Sequence, residues 1–227
     1  MKKRYFSNSE LALWGGSASA IVLSFVFFDS SNYMTLASSL VGVTALIFIA
    51  KGNPIGQALT ILFSLMYGAI SFTCAYYGEM ITYIGMTMPM AVFALIAWIR
   101  HPYEGNKAEV EVRRISKREI IFMWVLAAAV TAAFYFILKA FNTANLIPST
   151  ISVTTSFTAV YLTFRRSPYY AVMYAANDVV LIVLWIMASI ADRMYIPVTV
   201  CFAAFLANDI YGFINWKRME KRQSAKM

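Results

Sequence analysis

Asn177 and Asp178 stand side by side within a long apolar stretch, ten residues beyond Pro168. A helix starting at that proline would carry them about 15 Å inward, halfway through a hydrocarbon layer about 30 Å thick. Ionisable groups inside a membrane span are costly, and by default they mark a pathway or a binding site. Helical spacing gathers Tyr170, Tyr174, Asn177, Leu181 and Trp185 on one face, with Asp178 beside it. The same depth beyond Pro54 falls at Ser64, on a face with Gln57, Thr60, Tyr67 and Ser71. Farther along, Asn208, Tyr211 and Asn215 share a face, and Asp209 points about 100° away from it. Two polar stripes at the midplane suggest a site between them for a small polar solute. The hydroxyls of 146–164 (Ser149, Thr150, Ser152, Thr154, Thr155, Ser156, Thr158) read as bonds between helices or back to their own backbone. Glu79 and Trp98 lie close to helix ends and admit a structural or a functional role.

Covalent chemistry finds few tools here. His101 is the single histidine, so neither a His-based metal centre nor a catalytic triad can be assembled. No G-x-x-x-x-G-K-[ST] loop is present, and no carbonyl-filter motif suggests a selective channel. No enzyme activity, cofactor or metal is expected. The net charge of +8 could suggest nucleic acid, but the basic residues fall between apolar blocks, so no nucleic-acid partner is expected. Cys74 and Cys201 lie inside apolar runs and read as small packing residues. Met1-Lys2-Lys3-Arg4 precedes an apolar block without a clear cleavage site, so no signal peptide is expected.

These groups must be positioned by helices in lipid. Hydrophobic residues make up 60% of the 227 and charged ones only 13%, about half the usual share, with a mean hydropathy of +0.64. Candidate spans are 11–28, 33–50, 54–77, 80–99, 119–138, 146–164, 168–190 and 195–216. With the N-terminus inside, only Lys139 and Arg193 of the 19 Lys and Arg residues fall outside, which leaves 17 within. The positive-inside rule demands such a bias, and removing or adding one helix would destroy it. The expectation is eight crossings of the cytoplasmic membrane with both termini cytoplasmic. The 100–118 connection reads as a solvated loop near anionic headgroups, the alternatives being a short interfacial strand or a partner's docking site.

The chain also echoes itself. Lys51-Gly52-Asn53-Pro54 opens one long helix and Arg165-Arg166-Ser167-Pro168 another. Both run to an outer turn with an acid and a methionine, Glu79-Met80 and Asp192-Arg193-Met194. The helices that follow end in Trp98-Ile99-Arg100 and Trp216-Lys217-Arg218. This predicts an all-α membrane protein with two parallel three-helix repeats, 33–100 and 146–218. They are joined by a loop and linker helix (101–145), after an N-terminal helix (1–32) and before a basic tail (219–227).

Over nearly all of 33–218 the chain resembles the nicotinamide riboside transporter family, PnuC. The specific stretches are Tyr76-Tyr77-Gly78-Glu79-Met80-Ile81-Thr82-Tyr83, 89–98, Arg165-Arg166-Ser167-Pro168, Asn177-Asp178 and 208–216. The resemblance implies a three-plus-one-plus-three fold similar to the SWEET sugar facilitators, a homotrimer, and facilitated diffusion with trapping by a cytoplasmic kinase. It places the site at Asn177, with Tyr170 and Tyr174 upstream, and along the Asn208 to Tyr211 segment. Family members with a tryptophan pair ahead of the asparagine differ from this chain, which has Tyr170 and Met173 there. Asp209 stands where some relatives have Asn.

The pyridinium of nicotinamide riboside and the thiazolium of thiamine are permanent cations, which aromatic faces and a carboxylate would compensate in low dielectric. On this expectation Asp178 offsets the charge, Asn177 bonds the carboxamide or ribose, and Tyr170, Tyr174 and Trp185 enclose the ring. Substrate contacts are expected at Asn208, Asp209, Tyr211, Gln57, Ser64 and Tyr67 as well. The alternatives are a carrier of thiamine or another nucleoside, or a substrate-binding membrane subunit that needs a partner.

Overall fold

The computed structural model describes residues 5–73, 77–143 and 145–226. Lys2, Lys3, Arg4, Cys74 and Tyr76 therefore lie outside the described residues. The helices are α1 (Asn8–Phe28), α2 (Tyr33–Ala50), α3 (Ile55–Thr73), α4 (Tyr77–Thr82), α5 (Met88–Arg100), α6 (Lys117–Ala140), α7 (Leu146–Phe164), α8 (Tyr170–Ala191) and α9 (Ile196–Ser224). Among the described residues, seven helical stretches are long and apolar enough to cross a membrane, with α4 and α5 counted as one. The remaining one, α7, has 19 residues, but its serines and threonines lower its apolarity.

Local chemistry explains most boundaries. A capping box starts α1 three residues before the expected 11: Ser7 Oγ accepts from Glu10 N–H, and Ser7 N–H donates to the Glu10 carboxylate at 2.7 Å. Asn32 and Ser116 cap α2 and α6 in the same way, each accepting from the backbone N–H three residues on. One π-helical turn, Tyr83–Thr87, joins α4 to α5. Pro89 lacks an N–H and crowds the preceding turn, and the wider turn absorbs that misfit. Glu79, expected in an outer turn, lies in the first turn of α4.

The 100–118 connection corrects the expectation of a solvated loop. Pro102–Tyr103 and Asn106–Val110 form an antiparallel hairpin whose two turn residues, Glu104 and Gly105, both have positive φ. Val110 is fully buried. The strand finds partners within the chain: Val110 N–H donates to Gly52 C=O, and Arg113 N–H to Arg166 C=O. The last helix also continues beyond the expected 216, because Gln223 accepts from Val112 N–H and Glu220 pairs with Arg114. Beyond its end, the hydrogen bond from Lys226 to Glu104 holds that ammonium above its usual pKa.

The loops after α2 and α7 close alike. Gly52 has φ +67° and Arg166 φ +59°, each just beyond the last helical turn. Gly52 N–H returns to Ile49 C=O and Asn53 N–H to Phe48 C=O, while Arg166 N–H returns to Thr163 C=O and Ser167 N–H to Leu162 C=O. Against each closure rests a buried tryptophan from a helix far away in the chain. Trp98 Nε1 donates to Thr163 C=O at 3.0 Å, and Trp216 Nε1 donates to Ile49 C=O at 2.8 Å. Packing is reciprocal too: α2 lies on α9 and α7 lies on α5.

Helix α6 sits at the side of the bundle against α7, with Ile121, Phe122, Trp124, Val125 and Phe136 exposed. Water would penalise that surface and lipid tails would not. Helix α1 straps α2 and α9: Trp14 Nε1 reaches Thr44 Oγ1, and buried Glu10 binds both Lys51 Nζ and Tyr211 Oη.

Candidate functional site

A cavity of about 60 Å³ lies among α2, α3, the π turn, α7, α8 and α9. From α8 come Tyr170, Tyr174, Asn177 and Asp178, one continuous helical face. Helix α9 adds Asp209 with Phe202 and Phe205, and α7 adds Ser156. The other side is built of Gly42, Ala45, Leu46 and Ile49 from α2, Thr60 and Phe63 from α3, and Tyr83 and Thr87 from the π turn. The carboxyls and the amide thus gather on the α8–α9 side, while the facing side offers the Phe63 and Tyr83 rings, aliphatic groups and the Thr60 and Thr87 hydroxyls.

The polar wall is held in place by α7. Asn177 Oδ1 accepts from Ser152, Thr155 and Ser156, at 3.0, 2.9 and 3.0 Å. With its oxygen saturated, the amide keeps its two N–H donors for other partners. Other α7 hydroxyls bond back to their own helix, as Thr154 does to Thr150 C=O and Thr163 to Ala159 C=O. Asp178 and Asp209 line the same cavity as interacting neighbours, and Asp178 Oδ2 is buried without a donor among the described residues. Two carboxyl groups this close repel one another unless a proton or a cation lies between them.

Aromatic layers close the cavity at both ends. Toward the basic loops, the Trp98 and Trp216 rings are 5.4 Å apart, and Tyr170 packs on Trp216 at 5.0 Å. Toward the opposite end, Tyr83 packs on Tyr67 at 4.5 Å, and Tyr67 Oη accepts from Trp185 Nε1 at 3.0 Å. A cavity this small admits a few waters, so a larger solute enters only when one layer opens.

Of the residues singled out from the sequence, Thr60, Tyr170, Tyr174, Asn177, Asp178 and Asp209 meet at this cavity. Tyr67 and Trp185 form the closing layer at one end instead. Ser64 and Gln57 are buried in α3 but absent from the lining, and Ser64 Oγ and Gln57 Nε2 have no hydrogen-bond partner among the described residues. Asn208 and Tyr211 turn toward α1: Asn208 Nδ2 donates to Ser17 Oγ, and Tyr211 Oη to Glu10. One step along a helix rotates a side chain by about 100°, so Asp209 looks into the cavity while Asn208 looks away. Phe63, Tyr83, Thr87, Ser156, Phe202 and Phe205 line the cavity without a sequence signal that separates them from lipid-facing neighbours. The nearest to a signal is Pro89, whose misfit within a helix foretells a distorted turn near Tyr83.

Relatives share this frame. The nicotinamide riboside transporter PnuC of Neisseria mucosa is 23% identical over 204 residues, 88% of this chain and 77% of the relative. The protein of the same name from Haemophilus influenzae is 19% identical over 192 residues, 84% of this chain and 82% of the relative. A crystal structure of the vitamin B3 transporter PnuC superposes with a TM-score of 0.84 at 20% identity, covering 96% of this chain and 94% of the other. The family model described as nicotinamide mononucleotide transporter matches residues 32–218. A match over that length leaves outside it only the strapping helix α1 and the end of α9, and the chain belongs to the nicotinamide mononucleotide transporter family.

Proposed function

We propose that this protein carries nicotinamide riboside across the cytoplasmic membrane by facilitated diffusion, through the central cavity. The observation that carries the reading is the meeting of Asp178 and Asp209 opposite aromatic rings in a closed cavity. A solute with a fixed positive ring relieves the repulsion of the carboxyls and stacks on tyrosine and phenylalanine faces. Tyr170 and Tyr174 then flank the ring, and the Asn177 NH₂ donates to a carboxamide or ribose oxygen. The names of the relatives supply the solute.

Transport follows from opening one aromatic layer at a time. The reciprocal contacts α2–α9 and α7–α5, with the matched Trp98 and Trp216 joints, support two parallel three-helix repeats that rock about the cavity. The linker α6 and the strap α1 bring the crossings to eight, with α7 crossing inside the bundle, where its hydroxyls find partners. The meeting of the 51–54, 100–116 and 165–168 loops with the end of α9 at one pole supports cytoplasmic termini. The family resemblance extends the reading to a homotrimer and to kinase trapping of the riboside for NAD biosynthesis.

Counterflow in proteoliposomes tests it. Vesicles preloaded with unlabelled nicotinamide riboside should accumulate the labelled compound without ATP or an ion gradient. Thiamine, whose thiazolium suits the same walls, serves as competitor. No exchange of any cationic vitamin would overturn the proposal, and exchange of thiamine alone would change the solute.

A further inference from the structure

A second cavity lies at the pole opposite the basic loops. It holds about 350 Å³, between the start of α4, the α6–α7 connection and the end of α8. Gly78 makes this corner possible: a Cβ there would meet Leu138 Cδ2 at 2.7 Å and Thr143 Cγ2 at 2.9 Å. The close approach sets Glu79 beside Thr143 on the cavity wall, where Glu79 Oε2 and Thr143 Oγ1 are both buried without a hydrogen-bond partner among the described residues. A buried carboxyl oxygen without a donor is costly and demands an explanation. Trp185 lines the same cavity and also donates to Tyr67, on which Tyr83 of the central cavity packs. Asn145 and Ala191 on its rim are exposed, so the cavity opens at the surface.

We propose that this outer cavity is a second substrate subsite, where Glu79 and the face of Trp185 receive the cationic ring of the solute before it passes the Tyr67–Trp185 bond. Size and charge agree. Ligand pockets usually span about 300–1,000 Å³, so the outer cavity accepts a nucleoside as it stands while the central one must first widen. Carboxylate and indole together supply the counter-charge and π-face that a pyridinium needs. The subsite rests on the reading of this protein as a carrier of a cationic nucleoside.

Calorimetric titration of the purified protein with nicotinamide riboside tests it. The parent should bind in two classes, and Glu79→Gln should weaken one of them about tenfold while the other moves less than twofold. Ala188→Lys, which adds a cation to the same wall, should have the same effect and covers the case in which Glu79→Gln does not assemble. The uncharged dihydro form of the riboside should bind Glu79→Gln as it binds the parent at this site. A single class of binding in the parent, or two classes that neither substitution moves, overturns the subsite. A parent that binds no nicotinamide riboside at all overturns the carrier reading instead.

Discussion

The segment from α2 to α5 and the segment from α7 to α9 end in the same joint and carry different loads. In both, a left-handed residue closes the first helix of the segment, and its carbonyl accepts from the hairpin strand or the chain just after it. In both, a tryptophan from the other segment caps that closure. Above the joints the likeness fails. Both segments supply rings and hydroxyls to the cavity, but its amide and its carboxyls, Asn177, Asp178 and Asp209, all come from the later one. If the matched joints let the two segments tilt against each other as proposed, a small asymmetric solute still needs only one polar wall, and recognition can concentrate in one segment.

The largest test of that division is chemical. Asp178→Asn should lower uptake about thirtyfold at limiting solute, a loss of about 2 kcal/mol of charge compensation. Ser64→Ala, at the same depth beyond the other proline, should change it less than twofold, since its hydroxyl has no partner among the described residues and no place on the lining. Comparable losses in both would erase the contrast between the two walls.

A smaller effect probes the joints. Trp98→Phe and Trp216→Phe each remove one indole N–H from a buried carbonyl, at about 1–3 kcal/mol. Thermal unfolding in detergent should show both variants destabilised to a similar degree. A large effect in one alone would mean that the joints only look alike.

The smallest expected change concerns the left-handed positions. Gly52→Ala should destabilise by about 1 kcal/mol, because φ is +67° and the new Cβ would meet Met219 Cε at 2.8 Å. Arg166→Gly should come close to neutral, as relief of φ +59° offsets the lost ion pair with Glu111. The same melting experiment reads both.

Much of this was legible before any coordinates. Pro54 and Pro168 mark the starts of α3 and α8, both preceded by the left-handed closures. The hairpin's burial escapes a reading of the sequence, because Glu109-Val110-Glu111-Val112-Arg113 alternates like a strand without saying what it faces. Its partners are Gly52 and Arg166, more than 50 residues away in either direction. Asn208 and Asp209 show the same limit at the cavity. Both are polar and both are buried, yet one binds Ser17 of the strap and the other meets Asp178.

The sequence by itself determined which segments are apolar enough to leave water, where basic residues gather, and that amides and carboxyls sit deep within apolar helices. Those are local properties, set by transfer free energies that act on each residue wherever its neighbours lie. The tertiary structure alone decided which face of each helix meets the cavity and that Trp185 seals it rather than lining it. Only there, too, does Glu79 stand over a space of its own. In lipid every apolar face is equally content, so orientation is chosen by close packing and hydrogen bonds between helices far apart in the chain.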